Sequence, residues 1–277
     1  MKISLWGVRG SIPYSGPETN HYGGNTSCVT VYQDGCLLVL DGGSGLQRLV
    51  LPTNLKSNRI DILLTHLHLD HIQGLGFFKP LYNPEMEVHI WGPASSGNSL
   101  MFRLRRYLSP PLFPVNIREL PCRLTLHEIE NSEFQIGPFR IESEYIIHPG
   151  PTVGFRLKEK DKVFTYIPDH EPALGRNGMI QDTKWISGID LAMQADLLLH
   201  DGQYSSEEYL KSTGWGHSSI FNALQFASKA EVKRLLLSHH DPLHTDKTLD
   251  QLFSEFKANH HYPFPYELAV EGMEIDL

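Results

Sequence analysis

Long apolar runs are missing from this chain. No stretch approaches the ~20 apolar residues that a membrane-spanning helix needs, so no span is expected. Cysteine is scarce, at three in 277 residues. An odd number in a chain this long argues against a disulfide framework. Cys28 and Cys36 flank Asp34-Gly35, a strong hairpin signal. A hairpin turning there sets Cys36 opposite Gln33 and leaves the two cysteines unbridged. Positive charge is also in short supply. Lys plus Arg is 24 against 32 for Asp plus Glu, a net charge of −8. That balance lacks the basic footprint of a broad nucleic-acid binder. Met1 to Gly10 holds no apolar core of a signal peptide. Low-complexity segments, short repeats and Pro/Gly/Ser linkers are absent as well. The expectation is a soluble cytoplasmic protein forming one domain over residues 1–277. With 40% hydrophobic and 20% charged residues, disorder and coiled-coil architectures are excluded.

What stands out is histidine, at fifteen residues, which turns attention to metal binding and proton transfer. The surrounding pattern is mixed α/β. Short β-rich runs end at Gly, Pro, Asn or Asp: Ile3–Trp6, Ser27–Gln33, Cys36–Leu40, Arg59–Leu64, Glu87–Trp91, Arg123–Ile129, Phe139–Ile147, Thr152–Leu157 and Lys162–Ile167. The second half alternates strand and helix, with strands at Asp196–His200 and Lys233–Ser238 and helices over Ser218–Ser228 and Thr245–Lys257. Further helices are expected at Gly45–Val50 and Ser96–Leu108. Early hairpins followed by strand–helix units point to two sheets with helices outside.

The densest chemistry is Thr65-His66-Leu67-His68-Leu69-Asp70-His71, directly after the apolar run Ile60–Leu64. In extended chain alternate residues share a side, so His66 and His68 can face one ion. Asp70 and His71 follow as the chain turns and can serve a second. Imidazole and carboxylate suit Zn²⁺, Mn²⁺ or Fe²⁺.

This His-x-His-x-Asp-His motif resembles that of the metallo-β-lactamase superfamily. Four more segments resemble that family in order: Val39-Leu40-Asp41-Gly42-Gly43, Ile147-His148-Pro149-Gly150, Tyr166-Ile167-Pro168-Asp169 and Leu236-Leu237-Ser238-His239. The resemblance implies an αββα four-layer sandwich, two mixed sheets with helices outside and a two-metal site at one rim. It implies that His66, His68 and His148 hold one ion, that Asp70, His71 and His239 hold the other, and that Asp169 bridges. His240 adjoins His239 and leaves that last assignment open, although the strand-end position favours His239. His170 is expected to be structural or to back the ligands. The commonest true β-lactamases carry a cysteine ligand where Asp169 stands here, which disfavours antibiotic hydrolysis.

Gly214-Trp215-Gly216-His217-Ser218-Ser219 resembles the Gly-His-Ser signature of ribonuclease Z and related phosphodiesterases, where the histidine assists the leaving oxygen. Gly7-Val8-Arg9-Gly10-Ser11 and Gly24-Asn25-Thr26-Ser27-Cys28 resemble the same branch. The catalytic assignments implied are Asp70, to orient or deprotonate the attacking water, and His217, to protonate the leaving group. Asn25, Thr26 and Ser27 are expected to bind phosphate. Ribonuclease Z grips tRNA with an arm between the third histidine and the bridging aspartate, but here only Pro149–Pro168 separates His148 from Asp169. The expectation is therefore a small phosphodiester, foremost a 3′,5′-cyclic nucleotide, with no large nucleic acid, no membrane and a homodimeric state. The alternatives are a ribonuclease Z-like nuclease, a lactonase or thioesterase of the same fold, and a binding module with a decayed site. Phe102 to Pro111, basic and aromatic, is either a solvated helix face or a cap presenting Tyr107 or Phe113 to a base. His200-Asp201-Gly202-Gln203 is either a wall behind the ligands or a solvent-facing turn.

Overall fold

Chain direction reverses sharply where Asp34 and Gly35 both take the left-handed conformation, at φ of 50° and 78°. That is the geometry of a tight two-residue hairpin, and it pairs Gln33 with Cys36. The computed structural model describes residues 1–172, 174 and 179–277. Its strands are β1 (Lys2–Gly7), β2 (Cys28–Gln33), β3 (Cys36–Leu40), β4 (Arg59–Leu63), β5 (Glu87–Pro93), β6 (Arg123–Ile129) and β7 (Ser132–Ile136), followed by β8 (Phe139–Tyr145), β9 (Val153–Glu159), β10 (Lys162–Ile167), β11 (Leu197–Asp201), β12 (Leu235–Ser238), β13 (Tyr266–Leu268) and β14 (Glu274–Asp276). The α-helices are α1 (Leu69–Ile72), α2 (Leu100–Arg105), α3 (Ile189–Ala192), α4 (Ser206–Lys211), α5 (Ile220–Lys229) and α6 (Asp246–Asn259).

Two seven-stranded sheets result, in the orders β14-β1-β2-β3-β4-β5-β6 and β13-β12-β11-β10-β9-β8-β7. Each is mixed: antiparallel on one side, then parallel from β3 to β6 and from β10 to β13. Between the sheets lies one buried cluster with members from both, including Ile3, Val31, Leu38 and Leu40 from one and Phe139, Phe155, Phe164 and Leu199 from the other. Each outer face carries its own core. Leu100 and Leu104 of α2 join Ile60, Ile62 and Ile90; Ala223, Leu224 and Phe226 of α5 join Leu198, Leu235 and Leu237. The layers run helix, sheet, sheet, helix, as expected.

Differences from expectation are local. The helix expected over Ser96–Leu108 is confined to Leu100–Arg105, because Ser99 caps it by accepting from Phe102 N and Gly97 and Asn98 before it favour a turn. The helix expected at Gly45–Val50 is a single tight turn over Ser44–Arg48. β7, α3, α4, β13 and β14 carry too few residues for a clear period. Among the described residues, no helix is long and apolar enough to cross a membrane. The parallel strands end on one rim, where an open α/β sheet positions its ligands.

Candidate metal centre

β4 is apolar enough to be buried along most of its length, and it delivers Thr65 and His66 to that rim. His68 follows in extended conformation and caps α1, whose first turn carries Asp70 and His71. The other groups arrive from the opposite sheet: His148 after β8, Asp169 after β10 and His239 after β12. Four overlapping sets of donor atoms form: His66 with His68 and His148; Asp70 with His71, Asp169 and His239; and two that include His217, with His148 and Asp169 and with Asp201 and His239. Within each set all atoms lie within 4.8 Å of one another. Asp169 reaches the first two. Its Oδ2 lies 3.7 Å from His66 Nε2, 3.8 Å from His148 Nε2 and 3.2 Å from His239 Nε2, and its Oδ1 lies 3.1 Å from His71 Nε2. His68 offers Nδ1, 3.1 Å from His148 Nε2.

Neighbours of these groups fix which nitrogen faces inward. His71 Nδ1 donates to Asp41 Oδ2 at 2.8 Å, and Thr65 Oγ1 donates to the same carboxylate while accepting from His66 Nδ1 at 3.0 Å. Tyr166 Oη also donates to Asp41, at 3.0 Å. His148 Nδ1 donates to Gly216 O at 2.8 Å and His239 Nδ1 to Gln203 Oε1 at 3.0 Å. With Nδ1–H committed outward, each of these four rings turns its Nε2 to the centre, as a metal-ligating histidine does. Asp41 and His239 adopt left-handed backbone, at φ of 58° and 60°. Such residues cost about 1–3 kcal/mol each and cluster at functional sites.

The electrostatics are those of a cluster short of positive charge. Burial, reinforced by His71, holds His66 well below the ordinary imidazole range, and burial brings His148 down to about 4. Burial also opposes charge on His71, but Asp169, Asp41 and Asp70 surround it and raise it well above that range. His239 is raised to about 9 against its own burial, chiefly by Asp169 and Asp70. Burial would raise Asp70 and Asp169, yet the facing imidazoles hold both below the usual carboxylate range. His66 Nε2, His71 Nε2 and Asp169 Oδ1 are buried without any hydrogen-bond partner. Leaving such an atom unpaired costs about 1–3 kcal/mol. A divalent cation would satisfy these atoms, and the donor set suits Zn²⁺, Mn²⁺ or Fe²⁺.

His217 stands at the edge of the cluster, its Nδ1 4.0 Å from Asp169 Oδ2. That Nδ1 donates to Asp201 Oδ2 at 2.8 Å. His170 N and Gln203 N donate to the fully buried Asp201 carboxylate at 3.2 and 3.0 Å. His200-Asp201 is therefore a wall behind the site and not a solvent-facing turn. His170 lies behind it too, with Nδ1 3.0 Å from His200 Nε2. His240 turns away, its Nε2 on Ala269 O, so His239 is the residue placed in the cluster.

Asn25, Thr26 and Ser27 are not brought to the centre. Asn25 Nδ2 donates to Glu271, Thr26 Oγ1 accepts from Ser44 N and from Gln73 Nε2, and Thr26 and Ser27 are buried. The Asn25 and Thr26 side chains are engaged with Glu271, Ser44 and Gln73, and Ser27 Oγ is buried without a partner, so none of the three is among the grouped donor atoms. Sequence reasoning missed Glu171. Its buried carboxylate accepts from Gly214 N at 2.9 Å, Gly216 N at 2.9 Å and Tyr209 Oη at 3.1 Å, so it shapes the loop that carries His217. An acidic residue two places after a site aspartate was the available signal.

The beta-lactamase superfamily domain matches residues 38–240. The chain belongs to the beta-lactamase superfamily. Membership implies divalent metal ions, and the histidine–aspartate cluster is where this chain would hold them. A ribonuclease Z from Anoxybacillus flavithermus is 26% identical, with 93% of this chain and 92% of the relative covered. Among solved structures, the Bacillus subtilis metallo-beta-lactamase fold protein YhfI superposes with a TM-score of 0.72 at 20% identity over 99% of this chain and 98% of its own. Human tRNase Z, short form, superposes at 0.67 and 22% over 100% and 99%. At those identities the two structures show the fold alone. The exclusion of a large nucleic-acid partner does not stand, because the relatives are named as ribonucleases acting on RNA. The reason is physical: a net charge of −8 is a sum over the whole surface, whereas a phosphate backbone is met by a local patch.

Proposed function

We propose that this chain is a divalent-metal phosphodiesterase of the ribonuclease Z kind, hydrolysing an RNA phosphodiester with His217 as proton donor. The observation that carries the proposal is the His217–Asp201 pair set against the ligand cluster. An acid poised beside such a cluster is what expulsion of an alkoxide needs. In this reading His66, His68 and His148 hold one cation, Asp70, His71 and His239 hold a second, and Asp169 lies between. When bound, the cations supply Lewis-acid stabilisation of the phosphoryl group and ready ionisation of water near neutral pH. Asp201 accepts from Nδ1, so the transferable proton of the imidazolium is at Nε2, available to the leaving oxygen. Buried backbone donors keep the Asp201 carboxylate fixed, and it stabilises the charged ring. Asp70 orients the attacking water. Its Oδ2 is itself held by Ser11 N at 2.8 Å.

A second reading, hydrolysis of a 3′,5′-cyclic nucleotide, is favoured by one observation. The interval between His148 and Asp169 is filled by the β9–β10 hairpin, which turns on Lys160 and Asp161 and projects no arm. The alignment with the Anoxybacillus relative runs over 304 positions against 277 residues here, so the relative has insertions this chain lacks. One panel tests both: a 3′-extended tRNA precursor, short RNA, cyclic purine and pyrimidine nucleotides, a bis-aryl phosphate and a lactone, each with Zn²⁺, Mn²⁺ and Fe²⁺. Cleavage of RNA supports the first reading, and release of 5′-nucleotide from a cyclic nucleotide alone supports the second. Turnover of the lactone alone overturns both. His66→Ala should lose metal and rate together.

A further inference from the structure

A cleft of about 380 Å³ opens directly beside His66 and His68. That volume is within the range of small-ligand pockets, roughly 300–1,000 Å³. Its lining combines apolar surface, from Leu69, Ile72, Leu112 and the ring of Tyr107, with the cations Arg103 and Arg106. The combination follows from α2 and the turn after it. Leu100 and Leu104 anchor the helix in the core, and Arg103 and Arg106 lie one turn apart, with Tyr107 next.

Three features point to an anionic, partly aromatic ligand. First, Leu69 and Leu112 are 57% and 71% exposed, so the apolar lining has surface left to bury. Second, Tyr107 Oη donates to Gln73 O at 2.6 Å, which holds the ring as a fixed platform. Third, the guanidinium groups have spare donors. Arg103 Nη2 donates to Pro93 O, while its Nη1 has no hydrogen bond among the described residues. The Arg106 side chain is exposed and has no ion pair or hydrogen bond among the described residues. No carboxylate lines the cleft among those residues, in a chain whose net charge is −8. Guanidinium pairs phosphate in a planar, two-pronged geometry.

We propose that this cleft is a nucleotide subsite in which Tyr107 and the apolar lining take a base while Arg103 and Arg106 take the phosphate adjoining the scissile one. The inference rests on the phosphodiesterase reading and deepens it. With only a hairpin between His148 and Asp169, the grip on a polynucleotide strand falls to this rim. The subsite selects a phosphodiester that carries a second phosphate, as in an oligonucleotide.

The test compares a dinucleoside monophosphate with its 5′-phosphorylated and 3′-phosphorylated forms. The expected result is that the wild type prefers one phosphorylated form, mainly through KM, and that Arg106→Ala reduces the preference by about tenfold or more, the worth of a charged hydrogen bond. Arg106→Lys should keep part of it. Arg103→Gln, which is more exposed to folding defects, should act in the same direction. No preference in the wild type, or an equal preference in Arg106→Ala, overturns the subsite. A second measurement is independent of turnover: calorimetric binding of a nucleoside 3′,5′-bisphosphate to the wild type and to Arg106→Ala. Binding at least about tenfold weaker in the variant supports the subsite even if the phosphodiesterase assays fail. Equal binding overturns it even if they succeed.

Discussion

At the scale of single residues, the division of labour between cluster and acid can be tested directly. His217→Ala removes the proposed proton donor and leaves intact the seven residues proposed to hold the cations. Its kcat should fall by about 10²–10⁴-fold, with metal content unchanged by elemental analysis. Asp201→Asn keeps the shape but offers His217 an amide in place of a carboxylate. It should lower kcat with metal content unchanged, because the ring loses the carboxylate that holds its Nδ1–H; an unchanged kcat would mean that Asp201 only packs. His239 makes a different prediction. Its pKa is raised to about 9 without a cation, against ~6.5 in the unfolded chain. The stabilising proton is therefore fully bound in the folded state below pH ~6.5 and lost as pH rises through about 9. Chelator-treated protein should lose thermal stability across that window. Protein with saturating cation should not, since the cation replaces the proton. Parallel curves with and without metal would refute this.

At the scale of elements, the loop between α4 and α5 carries the most information. Glu171 gathers Gly214 N, Gly216 N and Tyr209 Oη, while Gly216 O accepts from His148 and His217 follows at once. Gly216 is at φ +89°, and a Cβ there would fall on Pro149 and the His148 ring. One buried carboxylate thus sets both a ligand and the acid. Glu171→Gln turns an NH₂ toward backbone donors and should cost about 1–3 kcal/mol of local stability. Metal affinity, measured by chelator competition, and kcat should both drop, whereas an effect on neither would make the loop self-supporting. This linkage was not legible in the sequence, because Glu171 meets partners 38 to 45 positions away. The strands were legible wherever apolar residues run to a Gly, Pro or Asp stop: β3, β6 and β10 have the expected bounds. The cluster was legible because each donor follows such a strand. The place of Asn25 and Thr26 outside the cluster was not legible, because polar side chains that tie a loop to its neighbours look the same in sequence as those that serve a ligand.

At the scale of the whole molecule, the cluster joins the two sheets. His66, His68, Asp70 and His71 follow β4 in one sheet; His148, Asp169 and His239 follow strands of the other. Between the sheets lies a core to which both contribute, with Phe139, Phe155 and Phe164 fully buried against Ile3, Leu38 and Leu40. Burying one such side chain is worth about 1.5–3 kcal/mol. Neither sheet can expose that face alone without losing many of these contributions at once. Residues 1–277 should therefore unfold as one unit, with far-ultraviolet circular dichroism and tryptophan fluorescence reporting the same transition. A cation that binds only the folded state adds stability by mass action, about 2.7 kcal/mol at a hundredfold excess over Kd. Because its ligands come from both sheets, chelation should lower the Tm of the single transition and leave it single. If chelation instead splits unfolding into two steps, the sheets are held together mainly by metal, and the shared core is weaker than its burial implies.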